Sequence, residues 1–194
     1  GISLAICLSS LSCSGPDVFY LPRTQKTYIG PGFEIKLPKP GMAIKEQVNG
    51  NRLSVDFFAK GPLFSDLELY SLEWTSLSKR KDLGAPQFLA WMREYLPEFL
   101  SKNFGNGSYQ ASTVIEGRNA TGLTAVSFAA FGTHNGGKRG ACYGTMVNFG
   151  HHLAVFYLLT DNNDPYQGKA QSNLSAYKDM EKFVQFAEGF RCHP

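Results

Sequence analysis

Residues 153–159 read Leu-Ala-Val-Phe-Tyr-Leu-Leu, a run without a charged side chain. Its length suits a strand, and its lack of alternation means that both faces are covered. A strand buried on both sides sits at the middle of its sheet, so other elements must lie above and below it. Three further segments lead into this run. Residues 109–116, 122–133 and 139–149 read as consecutive strands. Asn135, Gly136 and Gly137 turn the chain between the middle pair, and Gly150 with His151 turns it into the last.

Two segments have the pattern of covering helices. In 85–103, Phe88, Trp91, Met92, Tyr95, Phe99 and Leu100 recur at helical spacing. Pro86 suits a first turn, whereas Pro97 predicts a kink or a split. Near the C-terminus a second helix is expected to start at Asn173 or Ser175. Leu174, Tyr177, Met180, Phe183, Val184, Ala187 and Phe190 form its apolar stripe. Lys178, Asp179, Lys182, Gln185 and Glu188 face away.

Ahead of the first helix the chain reads as strands. The stretch 33–37 alternates, and 42–48 and 52–59 flank Asn49-Gly50 as a hairpin. Residues 66–77 make a long strand. Its apolar face shifts between Leu67/Leu69 and Tyr70/Leu72/Trp74, which predicts a bulge. Together the elements predict an α+β fold, an antiparallel sheet with helices packed on its faces.

Composition limits what such a chain does. The 194 residues fit one domain with an ordinary core, and a net charge of +3 with mixed signs is too weak to suggest nucleic-acid binding. No apolar run reaches the roughly 20 residues that span a bilayer as a helix. The charge is unevenly placed, however. The first charged residue is Asp17, so residues 1–16 carry none.

That uncharged start has the texture of a secretion-signal core, followed by Ser12, Cys13, Ser14, Gly15 and Pro16. Cys13, preceded by a small residue, is the candidate for lipidation. Release of a soluble secreted protein is the other processing route, and an uncleaved apolar strand the third reading. The division expected is a signal remnant with its lipidation region at 1–13, an extended tether at 14–32, and a single domain at 33–194. If Cys7 leaves with the signal and Cys13 is acylated, Cys142 and Cys192 remain. An even remainder in an oxidising compartment predicts one disulfide, Cys142 to Cys192. Two buried free thiols are the alternative.

Three pieces carry a resemblance. They are Gly-Phe-Glu-Ile-Lys-Leu-Pro at 32–38, the helix with Phe88, Leu89 and Leu100 after the charged loop 78–82, and the closing 182–190. In these, and in element order over about 30–192, the chain resembles the fold shared by PsbP extrinsic proteins, Ran-binding Mog-type factors and DcrB-type lipoproteins. The resemblance implies an α/β/α sandwich. It implies an accessory or binding protein rather than an enzyme, docking on other envelope proteins in a multi-subunit assembly. It carries over no functional residues.

The residues themselves offer little chemistry. His151-His152 is the one histidine cluster, and adjacent strand residues point to opposite faces. No metal-ligand spacing or nucleophile elbow occurs, so no catalytic residue, metal or cofactor is expected. Glu68 and Glu73 are five apart on one strand and therefore face opposite ways. The docking hints are Phe19, Tyr20 and Tyr28 in the tether and the basic cluster Lys79, Arg80 and Lys81. The expected address is the cell envelope, periplasm-facing, as an outer-membrane lipoprotein, with secretion as the alternative. A soluble domain binding a small hydrophobic ligand between sheet and helix is the competing function. A hydrolase using His151 or His152 is a third.

Overall fold

The continuously apolar run lies in β10 (His152–Asp161), with β6 (Glu68–Ser76) on one side and β9 (Arg139–Asn148) on the other. The structure is a computed structural model that describes residues 18–58, 68–77, 85–104, 109–133, 139–161, 169–170, 173–177 and 179–193. Beyond β9 the sheet continues through β8 (Thr124–Thr133) to β7 (Gln110–Arg118). Beyond β6 it continues through β5 (Arg52–Phe58) and β4 (Ala43–Asn49) to β1 (Val18–Tyr20). All eight strands pair antiparallel. A second, three-stranded antiparallel sheet runs in the order β11 (Phe190–Cys192), β3 (Phe33–Lys36), β2 (Thr27–Gly30). With helices α1 (Ala85–Asn103) and α2 (Met180–Glu188), the fold is α+β and mostly antiparallel sheet.

Alternation along the strands sends side chains into two cores. Leu153, Val155, Tyr157 and Leu159 join Phe88, Met92, Leu96 and Phe99 of α1. Ala154, Phe156 and Leu158 join Phe183 and Phe186 of α2 and Phe33, Ile35 and Phe190 of the small sheet. The bulge expected in β6 is absent, and its register is continuous against both neighbours. The apparent shift of apolar face arises because both faces are covered. Leu69 packs toward α1, while Tyr70, Leu72 and Trp74 pack toward α2. The irregularity lies instead in β7, between Ala111 and Thr113.

The helices correct the sequence reading at three places. First, α1 does not split at Pro97 but runs as one helix from Ala85 to Asn103, with Pro97 on its exposed face. Second, the C-terminal helix does not start at Asn173 or Ser175. Asn173 caps only a short 3-10 turn (Leu174–Ala176), and Tyr177 is extended. There Tyr177 is buried, its ring against Phe131 and Tyr143 and its hydroxyl 2.7 Å from the Thr113 hydroxyl. Burying that side chain overrides local helix propensity. Third, α2 ends at Glu188, and Phe190 begins a strand on β3. Phe186 is the buried residue missing from the expected stripe, and Val184 is exposed.

The segment read as a tether also has structure. Within 14–32, β1 pairs with β4 and β2 pairs with β3. Prolines and glycines bound these short strands without abolishing them. Tyr28 is buried against Phe57, and its hydroxyl donates to Glu46 Oε1 at 2.6 Å.

The Cys142–Cys192 disulfide is not present; both are free cysteines. Cys142 belongs to the α1 core, and burial pushes its thiol well up. Cys192 is exposed on β11, in the small sheet that covers the other face. A whole sheet separates the two environments. Alkylation of the native protein, read by peptide mapping, is expected to label Cys192 quickly and Cys142 only after denaturation. Equal labelling of both in the native state would contradict this placement.

Candidate functional site

A cleft of about 820 Å³ lies between α2, the small sheet and the segment that follows β3. Alternation places it. Phe33 and Ile35 point into the core, so Glu34 and Lys36 point out. Pairing brings Thr27 of β2 opposite Lys36, and Arg191 of β11 opposite Glu34. Gly189, at the end of α2, sits close to the Lys36 backbone, whose N–H donates to the Gly189 carbonyl at 3.0 Å. The floor is partly apolar, with Leu37, Tyr70 and Phe186 among the lining residues.

Five cations line this cleft, Lys26, Lys36, Lys39, Lys182 and Arg191, against the carboxylates of Glu34 and Glu188. Two cations are already engaged. Lys39 Nζ lies 2.7 Å from Glu68, and Lys182 Nζ lies 3.0 Å from Asp179 and 3.5 Å from Glu68. Tyr70 donates its hydroxyl to Glu68 at 2.6 Å. Burial pushes the Glu68 carboxyl up, but the bonds from Lys39 and Tyr70 outweigh it and hold it below its ordinary value. Burial and the Glu68 hydrogen bond raise the Tyr70 phenol, so it stays protonated. No carboxylate among the described residues pairs with Lys26, Lys36 or Arg191. Among the described residues, Arg191 donates only to the backbone carbonyls of Glu188 and Phe190, each at 2.7 Å.

The sequence-derived candidates do not meet at this cleft. Phe19 is on β1, opposite Ile44, and exposed, and Tyr20 ends that strand. Tyr28 is turned into the core and is no free docking surface. Cys13, Lys79, Arg80 and Lys81 lie outside the described residues. Of the histidines, His152 stacks on Trp74 with ring centroids 4.4 Å apart, and burial, with help from His151, lowers its pKa. His151 is exposed beside it. No group of three metal-ligating side chains occurs among the described residues. The space between the sheet and α2, where a hydrophobic ligand was the competing reading, is filled by rings. Phe186 of α2 has its ring 5.2 Å from that of Tyr70 and 5.9 Å from that of Phe57.

The cleft cations went unseen as a group because they are scattered over residues 26–191, and no short motif joins them. The usable signal was the outward parity of Lys36 and the outward face of α2 at Lys182, Gln185 and Glu188.

The fold is similar to that of the Ran-binding protein Mog1p of Saccharomyces cerevisiae, at 9% identity over 92% of this chain and 96% of that one, with a TM-score of 0.48. It is similar to the cyanobacterial PsbP (CyanoP) of Synechocystis, at 13% identity over 96% and 99%, with a TM-score of 0.42. It is similar to LpqN of Mycobacterium tuberculosis, a protein involved in cell envelope biogenesis, at 12% identity over 93% of each chain, with a TM-score of 0.33. The likeness is one of fold. No family model matches the chain, and no curated protein matches it.

Proposed function

We propose that this chain is an accessory protein of the cell envelope that works by docking on a partner and catalyses no reaction. The single observation that carries the reading is the cleft, a concave site with an apolar floor and three cations unpaired among the described residues. Unpaired charge beside apolar surface is what recognition of another chain uses, and it needs no catalytic group. In this reading the helices α1 and α2 are the outer layers of an α/β/α sandwich whose rigid sheet holds the cleft in shape.

The uncharged residues 1–16 extend the proposal to an address. Residues 1–13 are an export signal, Cys13 carries the lipid, and the protein faces the periplasm from the outer membrane within a larger assembly. Secretion without the anchor is the other outcome of the same signal. Lys79, Arg80 and Lys81 and the exposed Phe19 are secondary contacts.

Photo-crosslinking tests the docking reading. A photoreactive residue is placed at Lys36, in the cleft, and separately at Lys102, exposed on α1. In native membranes the Lys36 probe is expected to give one discrete adduct that the Lys102 probe does not. Absence of any adduct at Lys36, or the same adduct from both positions, sinks the reading.

A further inference from the structure

We infer that the cleft receives an extended, acidic segment of the partner protein, with carboxylates lying over Lys26, Lys36 and Arg191. This rests on the docking reading of the same cleft and names the chemistry it selects.

Charge is the first argument. Lys39 and Lys182 are already paired with Glu68 and Asp179, so a ligand gains little from them. Lys26, Lys36 and Arg191 have no carboxylate partner among the described residues, although they line one cleft. An acidic ligand makes new pairs there without breaking old ones. A basic ligand meets an excess of like charge.

Spacing is the second argument. Pairing of β3 with β11 sets Arg191 opposite Glu34, two residues along from Lys36 on the same face. Two residues of extended chain advance about 6.6 Å, with both side chains on one side. Arg191 and Lys36 stand diagonally on neighbouring strands, roughly 7–8 Å apart at that offset, so carboxylates at alternate positions of a strand-like peptide come within reach of both. Glu34 and Glu188 also line the cleft and disfavour carboxylates placed elsewhere, which fixes a register.

Shape is the third. The cleft is concave, walled by α2 and the small sheet, and floored by Leu37, Tyr70 and Phe186. A peptide enters such a space and lies extended over that floor. An anionic bilayer is a broad surface and reaches only the rim.

The test uses the full chain and a fluorescent peptide of about ten residues, roughly 33 Å when extended, alternating Glu with Ser. The acidic peptide is expected to bind, with an affinity that falls as salt rises. A Lys26→Gln/Lys36→Gln/Arg191→Gln variant is expected to lose about tenfold or more, while Lys102→Gln binds as before. These sites are exposed, and an unchanged thermal melt confirms that the triple variant folds. Equal affinity for a Lys/Ser peptide, or no loss in the triple variant, overturns the inference. So does preferential binding to phosphatidylglycerol vesicles, which would make this a membrane-facing surface. If the Lys36 crosslink to a partner persists while the acidic peptide fails, the inference falls and the docking reading stands. If both fail, both fall.

Discussion

Phe33→Ala is expected to cost about 3–5 kcal/mol, the range for truncating a buried phenylalanine. Phe33 is fully buried and joins the two sheets. Its ring meets Trp74 of the large sheet at 5.2 Å, Phe190 of β11 at 5.4 Å in a stacked arrangement, and Tyr28 of β2 at 6.1 Å. Removing it deprives three aromatic neighbours of a contact at once. The site collapses poorly, because those neighbours are themselves fixed by the sheets. Gly30 sits directly beneath the ring, and a Cβ there would collide with it, so ring and glycine are fitted to one another. Urea unfolding with a shared slope is the measurement. A loss below about 1 kcal/mol would mean that the small sheet is held by something other than this cluster.

Arg52→Ala is expected to cost about 1–3 kcal/mol at neutral pH, and the loss is expected to shrink on acidification. Arg52 Nη1 lies 3.3 Å from Oε2 of Glu73, a carboxylate only 2% exposed. The arginine is itself about a third exposed, which places the cost below that of a fully buried pair. Without it, the charged form of a buried carboxylate has lost its counter-ion. Asp56 stands on the same face, one diagonal step away, accepting a hydrogen bond from Ser71 at 2.6 Å. Burial pushes both carboxyls above their ordinary values; for Glu73 the nearby Asp56 charge adds to this and Arg52 opposes it.

The sign follows from proton binding. A carboxyl whose folded pKa is raised binds its proton more tightly in the native state. Stability from these two groups is therefore full below the unfolded carboxyl range and falls as pH rises through the raised folded values. Removing Arg52 raises Glu73 further, so the variant's deficit is greatest at neutral pH and least in acid. Glu68, held below its ordinary value, works the other way and loses its contribution as pH falls. Chemical denaturation of wild type, Arg52→Ala and Glu73→Gln across mild acid to neutral pH separates these effects. A deficit in Arg52→Ala that does not change with pH would remove Glu73 from the explanation.

Much of this fold was legible because hydrophobic period reports burial directly. The strands at 109–160 and the limits of α1 follow from apolar spacing, and the centrality of β10 follows from its lack of polar positions. What was missed has one cause, contact between residues distant in sequence. Tyr177 leaves the helical path to reach Thr113, and Phe190 turns into a strand because β3 offers it an edge. Cys142 and Cys192 pair in the sequence reading once Cys7 and Cys13 are set aside, but parity along β9 sends Cys142 to the α1 side. The cleft was less legible still. Its cations come from the residue before β2, from β3, the segment after it, α2 and β11, and only folding gathers them.

The seam between β6 and β10 has a consequence for how the chain is made. Its two sides are residues 68–76 and 152–160, so β6 has only one neighbour until the last quarter of the chain exists. An unfinished chain shows β6 as an open edge carrying Leu72 and Trp74, the kind of surface that recruits stray strands. Closing so long a loop is slow compared with forming the β7–β10 meander, whose pairings are local. A chaperone that shields residues 68–76 until 152–160 emerge would therefore act where synthesis leaves this protein most exposed to aggregation.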